Sequence, residues 1–381
     1  MDVVTPDETI TKGLILTKKG LIEYVGPGRA FDKNAYDTID LSGLTLCPGL
    51  IDAHTHLGVY AEGAGEPGED GNEMSDPVTP HVRAIDSIDA NDMAIMEARN
   101  SGVTTVMITP GSANVIGGMV CAAKTTGRTA DEMVINTCIG QKMATGENPK
   151  RVYGSNKKSP MTRMGIAALI RSALVDAVNY KEKLKKKKAD TARDLKMEAL
   201  VPVIEGKTMA RVHAHKADDI MTAIRIAEEF KLKVVIEHGT EAYKIADILA
   251  KKKIPVNIGP TTSTRSKVEL KDLARDNAAR CIKAGVHVSL ITDHPVIPLE
   301  ELRQEAVKLA RDHGVARSVA LKTVTINPAI TLGIEGRVGS LRKGKDADMA
   351  VYTGHPMDPA ATCVMTVING CVVFDGRIKN P

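Results

Sequence analysis

Through the long middle of the chain, short apolar runs alternate with helical patterns, and this alternation limits the fold more than any other feature. The runs LIDAHTHL, VTTVMIT, MVINTCIG, ARVHAHK, KVVIEHG, IPVNIGP and HVSLITD are too short and too evenly apolar for surface helices. Between them, stretches such as DDIMTAIRIAEEF and EAYKIADILAKKK carry apolar residues at helical spacing. Repeated β–α units with near-continuous apolar strands imply a parallel sheet covered by helices. Seven strands are visible, and an eighth, expected between Lys142 and Thr208, would close a barrel. An open doubly wound sheet is the alternative, but it would gather ligands at one switch point. Here His56, His213, His238 and Asp293 fall at the C-terminal ends of four different strands, where β/α barrels assemble their sites.

The two ends of the chain differ from the middle. GLILTK, GLIEYVG and DTIDLSG near the start, and DADMAVYTG, VMTVING and CVVFDGR near the finish, are short strands around glycine turns. Neither set covers its own apolar face, so pairing them into one small sheet domain serves both. The expected organisation is a (β/α)8 TIM-like barrel over residues 48–333. A composite β-sandwich is expected from residues 1–47 and 334–381.

Charge excludes several functions. With 51 basic and 47 acidic residues, the chain lacks the electrostatic footprint of a nucleic-acid or membrane binder. Trp is absent, which removes a base-stacking surface from consideration. The basic run Lys181–Lys188 reads as a solvated helix face. Six scattered cysteines without a CxxC read as thiols of a reducing compartment. No basic-then-apolar leader opens the chain and no run approaches the roughly 18 apolar residues of a membrane span, so a cytoplasmic enzyme with a small-molecule substrate is expected. Homo-oligomer formation is compatible with this reading.

The chemistry begins with His54 and His56. In a strand, residues i and i+2 point to one side, so both imidazoles reach one ion. Imidazole nitrogen suits zinc and similar divalent metals. A second H-x-H, His213 and His215, lies in ARVHAHK; His238 ends VVIEH, and Asp293 closes VSLITD. A carboxylate after a mostly apolar run is costly unless paired or metal-bound.

PGLIDAHTHLG, ARVHAHK, IEHGT and ITDHP, in that order, resemble the strand 1, 5, 6 and 8 motifs of the amidohydrolase superfamily. GRVGSLRKGKDADMAVYTG with VINGCVVFDG resembles the sandwich-closing segment of its imidazolonepropionase-like and dihydroorotase-like members. The resemblance implies one or two divalent metals, most simply zinc, and hydrolysis of an amide or cyclic amidine-like C–N bond. It assigns His54, His56, His238 and Asp293 as metal ligands. On strand 5 either His213 or His215 would bind, with His213 aligning better and His215 left as a catalytic or substrate contact. Asp293 would act as general base and acid on a metal-activated water. In binuclear relatives a carboxylate, often a carbamylated lysine, bridges the ions; Lys142 in CIGQKMATGENPKR resembles it, and Glu147 is the rival. A prolidase-like dipeptidase and a deaminase of the same superfamily are the competing readings. The deaminase pattern H-x-x-E is missing after His213, where Ala214, His215 and Lys216 follow. Relatives also show a strand ahead of an ETITKG-like segment, and none is expected here.

After the first barrel strand, GVYAEGAGEPGEDGNEMSDPVTPHVR reads as a long loop on the active-site face that could close as a lid. The GSANVIGG turn is expected to offer backbone N–H groups to substrate. Lys150, Arg151 and Arg265 are candidate carboxylate contacts.

Overall fold

The computed structural model describes residues 1–186 and 192–378. Its central sheet has eight strands. In spatial order they are Leu50–Thr55, Val103–Ile108, Ile116–Lys124, Val134–Ala144, Met209–Ala214, Val234–His238, Val256–Ile258 and Val288–Leu290. The ladder is parallel except around Ile116–Lys124, which pairs antiparallel with both neighbours. Backbone bonds from His56 N to His294 O (2.8 Å) and from Asp293 N to His54 O (3.2 Å) join the last strand's exit to the first, closing the barrel. Asp52 reinforces the seam, accepting from the backbone N–H (3.0 Å) and hydroxyl (2.7 Å) of Thr292.

Two expectations need correction. The third strand lies at Ile116–Lys124, ahead of Lys142, and the region 142–208 is helical beyond Ala144. It was hidden because IGGMVCAAK carries two glycines, which weaken a strand signal, and because only a short loop precedes it and only a four-residue helix, Ala130–Met133, follows it. A short strand, Asp2–Val4, does precede the ETITKG segment, pairing with Thr9–Ile10 and with Thr45–Leu46.

Helices cover the barrel by the expected logic. Ala217–Phe230 buries Ile220, Ala223, Ile224 and Ala227 on one face, and its first-turn Asp218 and Asp219 complement the helix dipole. Arg163–Lys185 buries Ile166, Ile170, Leu174 and Ala177, leaving Lys183 and Lys185 in solvent as expected of the basic run. Lys187 and Lys188 lie outside the described residues.

Both ends of the chain meet in one six-stranded sheet, where Thr45–Pro48 pairs with Met349–Tyr352. The hairpin Gly13–Lys18/Leu21–Pro27 belongs to the same unit, whose core gathers Val3, Ile22, Leu46, Met349, Val351 and Val367. Each such side chain contributes roughly 1.5–3 kcal/mol when fully buried. A buried cation fixes this unit to the barrel: Lys124, at the end of the third strand, pairs with Asp346 (3.0 Å) and with Asp348. All six cysteines are free. Among the described residues, no helix is long and apolar enough to cross a membrane.

The loop after the first strand is strapped along the third rather than hanging free. Asn114 Nδ2 donates to Glu73 O (2.6 Å) and Thr79 Oγ1 (2.7 Å), Ala113 N donates to Asn72 Oδ1 (3.0 Å), and Gly111 N donates to Gly71 O (2.7 Å). Residues 62–67 form its exposed tip. Of the N–H groups in GSANVIGG, those of Gly111, Ala113 and Ile116 are spent on the loop.

Candidate metal centre

The histidines sit where the strands stop. His54 lies in the first strand and His56 just past its end. His213 lies in the fifth strand with His215 just beyond it, and His238 ends the sixth. Asp293 follows the eighth. His238 and Asp293 both adopt positive φ, 70° and 55°, a conformation that costs a non-glycine residue and that clusters at functional sites.

Two ligand groups result. In the first, Asp293 Oδ1 stands 3.4 Å from His54 Nε2 and 3.3 Å from His56 Nε2. In the second, His213, His215 and His238 offer nitrogens within 4.8 Å of one another. The groups adjoin, with the His54 and His238 ring centres 4.7 Å apart. Between the parts of this cluster, Lys142 Nζ reaches within 3.2 Å of His54 Nε2. With the third strand located, Lys142 is seen to lie on the fourth, near its C-terminal end and fully buried.

Outer contacts orient the rings. His54 Nδ1 meets Glu237 Oε2 at 2.9 Å, His56 Nδ1 donates to Thr109 O at 2.7 Å, and His238 Nδ1 donates to Gly259 O at 3.1 Å. Each leaves Nε2 as the free nitrogen, the arrangement that hydrogen bonds at Nδ1 impose on metal-binding histidine. Glu237 also accepts from Arg211 Nη1 and Asn257 Nδ2, both at 2.9 Å, deep in the barrel.

Burial sets the protonation states. It pushes His54 down to about 4 and His238 down to about 3, and it holds His213 and His215 well below the usual histidine range. These four imidazoles are therefore neutral near pH 7, with lone pairs to give. Burial lowers Lys142 to about 8, leaving some neutral amine at physiological pH. Burial would raise Glu237, but His54, Arg211 and Lys142 outweigh it and hold the carboxyl at about 2.

The residues fit a divalent ion on a specific test. His213 Nδ1 and Asp293 Oδ1 are buried and have no hydrogen-bond partner. Orphaned buried polar atoms cost free energy, and a cation in each ligand group would satisfy them.

The structure leaves other candidates outside. Glu147 turns away, its Oε2 accepting from Glu269 N at 3.1 Å. Lys150 and Arg151 are exposed, and Arg265 donates to the carbonyls of Lys271 (3.1 Å) and Leu273 (2.8 Å). Glu237, Arg211 and Glu269 were missed. The first two had a signal, a charged residue inside an apolar strand; Glu269, in SKVELKD, had none.

A model of the amidohydrolase family matches residues 45–377. The chain belongs to the amidohydrolase family. An amidohydrolase of Thermotoga maritima MSB8, known from its crystal structure, is 47% identical and superposes with a TM-score of 0.91 over 95% of this chain and 94% of its own. Amidohydrolase tasK of Hapsidospora irregularis is 29% identical over 96% of this chain, which spans only 40% of tasK's length. An imidazolonepropionase of Treponema denticola is 24% identical, covering 91% of this chain and 86% of that enzyme. Family membership makes this amidohydrolase a hydrolase of C–N bonds.

Proposed function

We propose that this amidohydrolase hydrolyses a non-peptide or cyclic C–N bond, amide or amidine-like, with one or two zinc ions held at the barrel mouth. The observation that carries the reading is the meeting of two sets of buried imidazoles around Asp293 and Lys142. His54, His56 and Asp293 would hold one ion, and His213 and His238 the other. A divalent ion, when bound, lowers the pKa of a coordinated water towards 7 and polarises a carbonyl. Asp293 accepts the water's proton at its carboxylate and delivers it to the leaving nitrogen. His215, whose Nδ1 lies 2.7 Å from Thr240 Oγ1, keeps Nε2 for substrate.

Lys142 is assigned the bridge. The ammonium loses one proton; the neutral amine attacks carbon dioxide, forming a C–N bond as one C–O π pair moves to oxygen, and a second proton leaves the nitrogen, so that a buried cation becomes an anionic carbamate. That change of sign suits the site, because a lysine ammonium would oppose the ions. The imidazolonepropionase relatives support a cyclic substrate. The position of Lys142 favours a second reading, a prolidase-like metallo-dipeptidase.

Zinc-loaded protein assayed against cyclic imidazolones, lactams and Xaa-Pro dipeptides separates these readings. Turnover of the cyclic compounds is expected; turnover of dipeptides alone selects the second reading, and neither at measurable rate defeats both. Lys142→Ala is expected to bind one zinc fewer per chain, and an unchanged zinc content removes the bridge.

A further inference from the structure

The loop after the seventh strand carries a buried carboxylate that the metal ligands do not use. Glu269 is 2% exposed, and its Oε2 accepts from Glu147 N at 3.0 Å. Glu147 Oε2 in turn accepts from Glu269 N, so two loops on the active-site face are clamped together. Gly146, at φ 88°, makes room: a Cβ there would stand 3.0 Å from Glu269 Oε2 and 2.9 Å from Asp219 Oδ2. The clamp leaves Oε1 aimed at the strand-five histidines, 3.5 Å from His215 Nε2 and 3.7 Å from His213 Nε2.

Neither Glu269 Oε1 nor His215 Nε2 has an aligned hydrogen bond. What faces Oε1 is Lys267 Nζ, 3.1 Å away on a side chain that still reaches solvent (21% exposed). A desolvated carboxylate with one oxygen fixed by backbone and the other held by a single movable cation is poised to exchange that cation for another. The nearby imidazole nitrogen adds a second polar contact.

We infer that Glu269 Oε1 and His215 Nε2 form a subsite for a cationic nitrogen of the substrate, ammonium or amidinium, which displaces Lys267 as it binds. The inference rests on the proposed function in placing substrate at the barrel mouth. It narrows the substrate to C–N compounds with a positively charged nitrogen near the scissile bond.

The probes are glycinamide, whose amine is cationic, and N-acetylglycinamide, whose amine is blocked. Both are titrated into the zinc-loaded full chain by ligand-observed NMR, with zinc per chain measured on the same samples. The wild type is expected to bind glycinamide at least tenfold more tightly. Glu269→Gln, which still offers Glu147 N an acceptor, is expected to weaken glycinamide by on the order of ten- to a hundredfold and abolish the preference. Lys267→Met is expected to tighten glycinamide by freeing the carboxylate. Equal or absent binding of the two probes to the wild type overturns the subsite, as does a preference that survives in Glu269→Gln. Weaker glycinamide binding in Lys267→Met overturns the displacement. Failure to hold zinc while the preference persists counts against the metal reading and leaves the subsite standing.

Discussion

Replacing Glu237 with Gln keeps the shape of the barrel core and removes one of its two opposed charges. Glu237 and Arg211 are both fully buried and 2.9 Å apart, and Glu237 also meets His54 Nδ1 at 2.9 Å. Without the carboxylate, the Arg211 guanidinium keeps the Thr331 carbonyl and a neutral amide oxygen but loses the charge that opposes it. Removing one partner of a buried pair costs roughly 3–5 kcal/mol. With an unfolding entropy of about 2.1 cal/mol/K per residue over 381 residues, the melting temperature should fall by roughly 4–6 °C. A second effect falls on the metal. The new amide can donate to His54 Nδ1 and favour the Nε2–H tautomer, which cannot bind an ion. Zinc affinity should drop roughly ten- to a hundredfold. Guanidinium unfolding of the apo protein measures the first effect, and competition with a chromophoric chelator the second. Arg211→Met should also destabilise, and the double variant should cost clearly less than the sum, because it removes both charges together. Additive costs, or Glu237→Gln matching the wild type in stability and zinc affinity, would refute the reasoning.

Three further outcomes are expected. Asp293→Asn should keep at least one zinc by metal analysis yet lose at least a hundredfold in kcat on any substrate the wild type turns over; retained activity removes Asp293 from proton transfer. Gly146→Ala should destabilise by about 1–3 kcal/mol in chemical denaturation, since its φ of 88° is strained for alanine and its Cβ would crowd two carboxylates. Asp52, raised to about 7 by burial, binds a proton in the folded state where the unfolded chain has lost it. Its contribution is therefore fully present below pH 4 and is lost as pH rises to about 7. Stability measured across that window should fall relative to Asp52→Asn, and parallel profiles would contradict the assignment.

Much of the fold was legible because barrel strands are apolar on both faces and end in polar residues. His54 and His56 declared themselves through i, i+2 spacing, and His238 and Asp293 through their places after apolar runs. The third strand was not legible: it runs antiparallel, contains Gly117 and Gly118, and follows a stretch that reads as loop. Losing it also obscured Lys142, whose place on the fourth strand depends on counting the third. Glu237 and Arg211 were visible as charges in apolar strands, but their pairing depends on register. Arg211 sits opposite Val235, which puts Glu237 two residues further along the neighbouring strand. Glu269 comes from a polar loop whose path no local pattern specifies, and only the folded chain brings it to His215.

The proposed metal centre comprises His54, His56, His213, His238 and Asp293, bridged at Lys142. Metal analysis of the purified protein together with an anomalous-difference map at the zinc edge tests it most directly. Two peaks are predicted, one among His54, His56 and Asp293 and one between His213 and His238, with continuous density beyond Lys142 Nζ. No anomalous peak among these residues in zinc-supplemented protein would contradict the account.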